Sequence, residues 1–484
     1  MSDLIEALTE LRDARDEYER ARDYYEGEAG ERFTAPTIEQ LISGEDDNNF
    51  KVNLACRPVD AILDRLEIAS ITGDTEAVTK AYNDLVWAPN QMDLEAPTIH
   101  RAGLMFGDAY LFVWDAEPPA EDEGSDQEAE EPGGETEPVT APATGVDMFY
   151  NSPLVARILY DVENPRRKRL AIKSWCITDD NGKELTRVNL YYRDRIEKWV
   201  SKAGTKAEKD ADFEVYVDDH TDEFGQVPNP YDTIPFFHFR TEAPYGVPVH
   251  RNAYGPQDAI TKLIRGQMVH ADFTALPQRV GLLEAGATTD DDTDWGFDET
   301  ADPEDKPSSM VARPGSMWQL RGYKDVKEFA AGDVDAFLKP IAVFVRFMAA
   351  VTSTPLRWFD PMGGVPSGES IRADEAPLIK RIAMFGRSFA ATHREVGEFA
   401  LRILGIEGTI TVRWASAQTI NDMTGWQAII AKQQAGVPVR QALIEAGYTE
   451  AQCDEWGYTA EQPDGEGADW EQMAEPPRAQ AGAG

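Results

Sequence analysis

The stretch from Ile234 to Thr354 decides how this chain folds. It opens with Ile234-Pro235-Phe236-Phe237-His238-Phe239, a short apolar, aromatic run of strand character that ends at Pro244-Tyr245-Gly246. A helical pattern follows from about Asn252 to Phe273, with Ile260, Leu263, Ile264, Met268 and Ala271 along one seam, and Pro277 closes it. An irregular and very acidic segment comes next, with nine acids between 290 and 305, and Val311 to Leu320 is expected to add strand. A second helix, Asp333 to Val351, carries Val334, Phe337, Leu338, Ile341, Phe344, Val345, Met348 and Val351. These cover more than one face, so this helix is expected to pack on several sides, and copies of the same chain in a ring are one source of neighbours. Two helices parted by about sixty residues suit a rod that projects from a body and carries something at its tip.

Upstream, residues 3–25 read as a charged helix with Leu4, Leu8, Leu11 and Ala14 on one stripe. Further helices are expected over Val52–Leu66 and Leu94–Phe106, the second stopping at Gly107, with a strand over Ala109–Trp114. From Glu117 to Asp147 the chain holds eleven acids and no base, a composition that cannot bury enough apolar surface to order itself. It reads as a flexible insertion between two strands. Five alternating segments then spell an antiparallel β module of about six strands: Val155–Asp161, Leu170–Thr178, Leu185–Tyr192, Arg195–Val200 and Phe213–Val217. Beyond the second central helix, Pro355 to Gly368 is a loop containing Trp358, Phe359, Met362 and a Gly-Gly pair. A long helix over about 369–404 follows, with Pro377 expected to kink it near its start. A strand at Thr409–Trp414 and small helices over 424–456 complete the ordered part, and the Gly-, Pro- and acid-rich tail is expected to be disordered. The fold class is therefore α+β.

With 484 residues, 42% hydrophobic and 10% aromatic, the chain can bury a sizeable core. Its formal charge of −40 argues against holding DNA through clustered cations, yet a like-charged wall can let a duplex pass without sticking. Cys56, Cys176 and Cys453 are far apart, so neither a disulfide framework nor a zinc site is expected. No signal peptide is visible and no apolar run approaches about eighteen residues, so a soluble, intracellular protein with no membrane partner is expected. Phosphate-loop, HExxH and GxSxG patterns are absent, and Asp290-Asp291-Asp292-Thr293-Asp294 lacks the glycine and closing glutamate of a calcium loop. No enzyme, metal or cofactor is expected.

The order of several short pieces carries a resemblance. They are Tyr24-Tyr25-Glu26-Gly27; Asn53 leading into Pro58-Val59-Asp60; Trp87-Ala88-Pro89-Asn90; Gly107-Asp108-Ala109-Tyr110; Ile234-Pro235-Phe236-Phe237; Gln257 to Leu263; Ala275 to Arg279; and Ser367-Gly368-Glu369-Ser370-Ile371. Over most of its length the chain resembles the portal proteins of tailed bacteriophages, of the siphophage type found in actinobacterial phages. The resemblance implies a ring, usually a dodecamer, whose subunits have wing, stem, clip and crown regions. It places the wing at 1–251, the stem helices at 252–273 and 333–352, the clip at 274–332 and a tunnel loop at 353–368. The long helix 369–409 would join wing and crown, the crown would be 410–457, and 458–484 would be a disordered tail.

The implied function is a conduit for double-stranded DNA at one capsid vertex of a virion assembled in the host bacterial cytoplasm. Such a ring nucleates head assembly and has the major capsid protein, scaffold, large terminase and head–tail adaptor as partners. The implied channel residues are Arg357, Trp358, Phe359 and Met362 of the tunnel loop, with Lys339 and Arg346 on the stem facing either the channel or a neighbouring subunit. Asp290, Asp291, Asp292, Asp294 and Trp295 would form the clip's partner interface. Two departures stand out, the acidic insertion and Pro377. The alternative from a different class is a non-ring acidic scaffold or adhesion protein built on the β module.

Overall fold

A computed structural model describes residues 2–29, 52–116, 145–179, 182–275, 279–283, 323–328, 335–360, 368–417, 422–446, 448, 453 and 456–458. The fold is mixed helix and sheet, α+β. Helix α1 (Asp3–Glu26) begins at Ser2, whose hydroxyl accepts from the Ile5 amide, and ends at Gly27 in the left-handed conformation. Its buried residues divide along its length. Leu4, Ala7, Leu8 and Leu11 pack on a β-sheet, Tyr18 and Ala21 enter the central core, and Tyr24 enters a third cluster.

Helix α2 is shorter than its apolar spacing predicts, Arg57–Leu63 rather than 52–66. Pro58 has no amide to donate and is accommodated in the first turn, so the helix starts there. The preceding residues form a turn instead: the Asn53 side chain accepts from the Ala55 amide at 3.0 Å and donates to the Tyr25 carbonyl at 2.7 Å. Strand β1 (Ile68–Gly73) and helix α3 (Glu76–Tyr82) follow, then a π-helical turn at Asn83–Trp87 and helix α4 (Met92–Phe106).

Strand β2 (Asp108–Asp115) pairs with β3 (Val146–Asn151) as an antiparallel hairpin. The hairpin's last residues stay in register, and the Ala116 amide donates to the Gly145 carbonyl at 3.0 Å. The connection between them, 117–144, lies outside the described residues. Next come β4 (Ala156–Tyr160), β5 (Lys168–Thr178), β6 (Glu184–Tyr191), β7 (Arg195–Ser201), β8 (Phe213–Val215) and β9 (Gln226–Pro228). They form one six-stranded antiparallel sheet in the order β4-β5-β6-β7-β8, with β9 also on β7. Strand β10 (Phe236–Arg240) pairs with the other edge of β2.

Helix α5 (Tyr254–Ala275), strands β11 (Arg279–Leu283) and β12 (Tyr323–Glu328), and helix α6 (Asp335–Thr352) form one excursion: the two helices pack on each other and the two strands pair antiparallel. Residues 311–320, read as strand, lie outside the described residues. The 36-residue helix α7 (Gly368–Ile403) carries Pro377 within it and crosses the central core. Strand β13 (Ile410–Trp414) pairs antiparallel with β1, far away in sequence. Helices α8 (Asp422–Gln434) and α9 (Val439–Glu445) form a small cluster around Ile429, Leu443 and Cys453. The tail 459–484 lies outside the described residues.

Two polar constructions lock the core. Asp108, fully buried at the start of β2, accepts from the Tyr18 hydroxyl at 2.6 Å, His238 Nε2 at 2.7 Å and the Gly246 amide at 2.7 Å. Burial pushes the His238 pKa down despite Asp108, so the ring is neutral and its Nδ1 accepts from the Tyr160 hydroxyl at 2.8 Å. Arg157 donates to Tyr18 and lies 3.8 Å over the Tyr245 ring. Gly107, at φ +91°, and Gly246 approach so closely that a Cβ on Gly246 would land on the Gly107 carbonyl oxygen. The second construction is a histidine pair. His100 of α4 and His393 of α7 meet through Nε2 atoms 2.8 Å apart, walled by Phe239, Phe389 and Trp414. One ring donates and the other accepts, and burial pushes the pKa of both down, so both are neutral.

Candidate functional site

The site is built where α5 and α6 meet the body. Tyr24, Ala55, Ala253, Tyr254, Ile260, Met348, Ala349 and Phe359 form one buried cluster there. The Tyr24 and Tyr254 rings stack 4.0 Å apart, and the Tyr24 hydroxyl donates to the Asp258 carboxylate at 2.9 Å. Gln257 fixes the passing chain by donating to the Val52 carbonyl at 2.7 Å and accepting from the Leu54 amide at 2.9 Å. The helix pair is therefore rooted by both aromatic packing and side-chain hydrogen bonds.

Helix α6 turns Met348 and Ala349 into this cluster, with Ile341, Phe344 and Val345 half-buried against it. Its other side is bare: Val343, Phe347 and Val351, at four-residue steps, are 42%, 54% and 49% exposed, and Leu338 is exposed as well. Met268 of α5 is also exposed. Lys339 and Arg346 lie on the surface of α6.

The end of α6 is tightly held. Ser353 adopts φ +52°, and the Thr354 amide donates back to Ala349 O at 3.1 Å. Arg381 of α7 donates to the Thr352 carbonyl and to Val249 O at 3.4 Å, which places a cation at the negative end of the α6 dipole. A 3₁₀ turn, Leu356–Trp358, follows. Arg357 at its centre forms an ion pair with Glu375 of α7. The Glu375 side chain is 2% exposed and also receives Arg65 Nη2 at 2.6 Å. Arg65 reaches further, donating to Ala417 O at 3.3 Å. Phe359 is buried in its own chain, and Trp358 is half-buried against the same cluster and the central core, its indole N–H enclosed without a partner among the described residues.

Of the residues singled out by resemblance, the structure thus brings Arg357, Trp358 and Phe359 together at one turn and sets Lys339 and Arg346 on the adjoining helix. Met362, Asp290, Asp291, Asp292, Asp294 and Trp295 lie outside the described residues. Glu375, Arg65 and Arg381 went unnoticed in the sequence. In a chain with 87 acids one glutamate gives no local signal, and its arginine partner Arg65 lies 310 residues away. α7, β13 and the C-terminal end of α9 border a groove of about 710 Å³ lined in part by Leu66, Ile382, Trp414, Ile444 and Tyr448. Among the described residues, no group of three or more His, Cys, Asp or Glu side chains could hold a metal ion, and no helix is long and apolar enough to cross a membrane.

No protein-family model and no curated protein matches the chain. Solved structures do. A chain from the virion of a native gene transfer agent particle is 12% identical, with 81% of this chain and 89% of that chain covered and a TM-score of 0.41. A chain from the neck of the native particle, computed with C12 symmetry, is 11% identical, with coverage of 89% and 99% and a TM-score of 0.42. A chain from the neck of the empty particle, computed with C6 symmetry, is 13% identical, with coverage of 82% and 90% and a TM-score of 0.40. At these scores and identities the likeness carries no inference about function.

Proposed function

We propose that the chain is a portal subunit that assembles into a ring at one vertex of a phage-like capsid and conducts double-stranded DNA. The reading rests first on the eight sequence pieces that resemble portal proteins. The structural observation that carries it is α6, whose inner side is covered by its own chain while Val343, Phe347 and Val351 stand bare. An apolar stripe of this kind on a rooted helix pair calls for a partner surface, and a neighbouring copy supplies one. In this reading α5 and α6 are the stem, and the β11–β12 ribbon belongs to the clip that meets motor and connector. Arg357 opens the loop that faces the bore. The net charge of −40 keeps the duplex from adhering to the walls.

The test is assembly. Light scattering and negative-stain images of the purified chain are expected to show rings near the mass of a dodecamer of 53.8 kDa subunits. Phe347→Asp is expected to abolish the rings while leaving the far-ultraviolet circular dichroism unchanged. A wild-type monomer removes the reading in favour of a non-ring structural protein.

A further inference from the structure

The Arg65–Glu375–Arg357 cluster holds one buried carboxylate between two guanidinium groups. The two arginines are not equivalent. Arg65 is 15% exposed and tied to the body through Ala417, whereas Arg357 is 39% exposed and sits on the turn that leads away from α6. One guanidinium suffices to compensate one buried carboxylate. Taking Arg357 away therefore leaves Glu375 paired with Arg65, and no unpaired charge is stranded in the interior. Taking Arg65 away is different, because Arg357 becomes the remaining partner in this cluster. Partial burial and the nearby charge of Arg65 both act against the Arg357 cation where it sits, while Asp374 favours it. A DNA phosphate offers the same planar guanidinium a bidentate, charge-assisted partner.

We propose that Glu375 is a positioning residue that governs when Arg357 reaches DNA, because the buried carboxylate and a backbone phosphate compete for the same guanidinium. Arg65 makes the exchange tolerable by keeping Glu375 compensated after Arg357 has left. The inference rests on the portal reading and adds to it a cation held in reserve at the root of the bore-facing loop. A bore built this way grips the duplex only where phosphate comes within reach of the turn.

The experiment uses full-length rings and a 30-base-pair duplex, with the dissociation constant followed as a function of salt. Glu375→Gln releases Arg357, so binding is expected to tighten severalfold at low salt. The slope of log K against log salt is expected to steepen by about 0.9 for each additional phosphate engaged. Adding Arg357→Ala to that variant is expected to erase the gain. Arg65→Gln pulls the other way: Arg357 is retained by the carboxylate, and binding is expected to fall to the level of Arg357→Ala alone. That loss in a protein that still possesses Arg357 is what a purely structural role would not produce. Rings whose DNA binding is unmoved by Glu375→Gln and by Arg65→Gln overturn the inference and leave the portal reading standing. A wild-type chain that forms no ring overturns both.

Discussion

Replacing His393 with glutamine should flatten the acid sensitivity of this fold. His393 is fully enclosed and its only polar partner among the described residues is His100, so burial pushes its pKa from 6.5 down to about 3. His100 is shifted in the same direction, by burial first and by His393 second. A histidine with a depressed folded pKa binds its proton more readily in the unfolded chain. The unfolded state therefore takes up more protons throughout the interval between about 3 and 6.5. Its contribution is fully present above 6.5 and is lost as the pH falls toward about 3. At pH 5 the loss from this one group is about 2 kcal/mol. A glutamine at 393 keeps an amide to meet His100 Nε2 but does not titrate. Urea unfolding followed by tryptophan fluorescence at pH 7 and pH 5 reads the effect. The stability lost between the two pH values should be about 2 kcal/mol smaller in His393→Gln than in the wild type. Comparing the two proteins cancels the contributions of His238 and His250, whose shifts do not involve His393, while His100 keeps its main cause, burial. Equal losses in both would falsify the assignment of His393 as a buried neutral base.

Asp108→Ala strips the shared acceptor from Tyr18, His238 and the Gly246 amide at once, and a loss of more than about 3 kcal/mol is expected in the same unfolding assay. A mild effect would mean that water reaches this carboxylate. Gly246→Ala forces a methyl group onto the Gly107 carbonyl, so the soluble yield and melting temperature should both drop sharply, whereas Gly182→Ala, open to solvent but at φ +76°, should cost only about 1 kcal/mol. Replacing residues 118–143 with a two-residue Asn-Gly turn should change stability by less than about 0.5 kcal/mol, because the flanking strands already pair to their ends. A large loss there would show that the acidic segment contributes to the folded body.

Elements with a local period were legible in the sequence. The stripe Leu4, Leu8 and Leu11 marked α1, and alternation marked β4 to β8 to within a few residues because each of these strands faces a core on at least one side. What escaped reading depends on partners remote in the chain. Ile68–Gly73 is a strand because Ile410–Trp414 lies beside it, and nothing within Ile-Ala-Ser-Ile-Thr-Gly requires that. The apolar spacing of Val52, Cys56 and Val59 suggested a longer helix, but Pro58 and the Asn53 turn overrode it. At the candidate site, Arg357, Trp358 and Phe359 could be singled out through the resemblance. The carboxylate that holds Arg357 could not, since its role comes from being buried between two arginines and only the folded chain creates that.

Helix α1 has a mechanical consequence. Its ends are fixed in different cores, Leu4 on the six-stranded sheet and Tyr24 against Tyr254 at the foot of the helix pair, about 30 Å apart along the axis. One degree of tilt about Tyr24 moves Leu4 by about 0.5 Å, a shift that a close-packed interior resists. The strut thus resists independent rocking of the helix pair and the sheet. A load applied along the pair is carried into the sheet instead of being absorbed by a hinge.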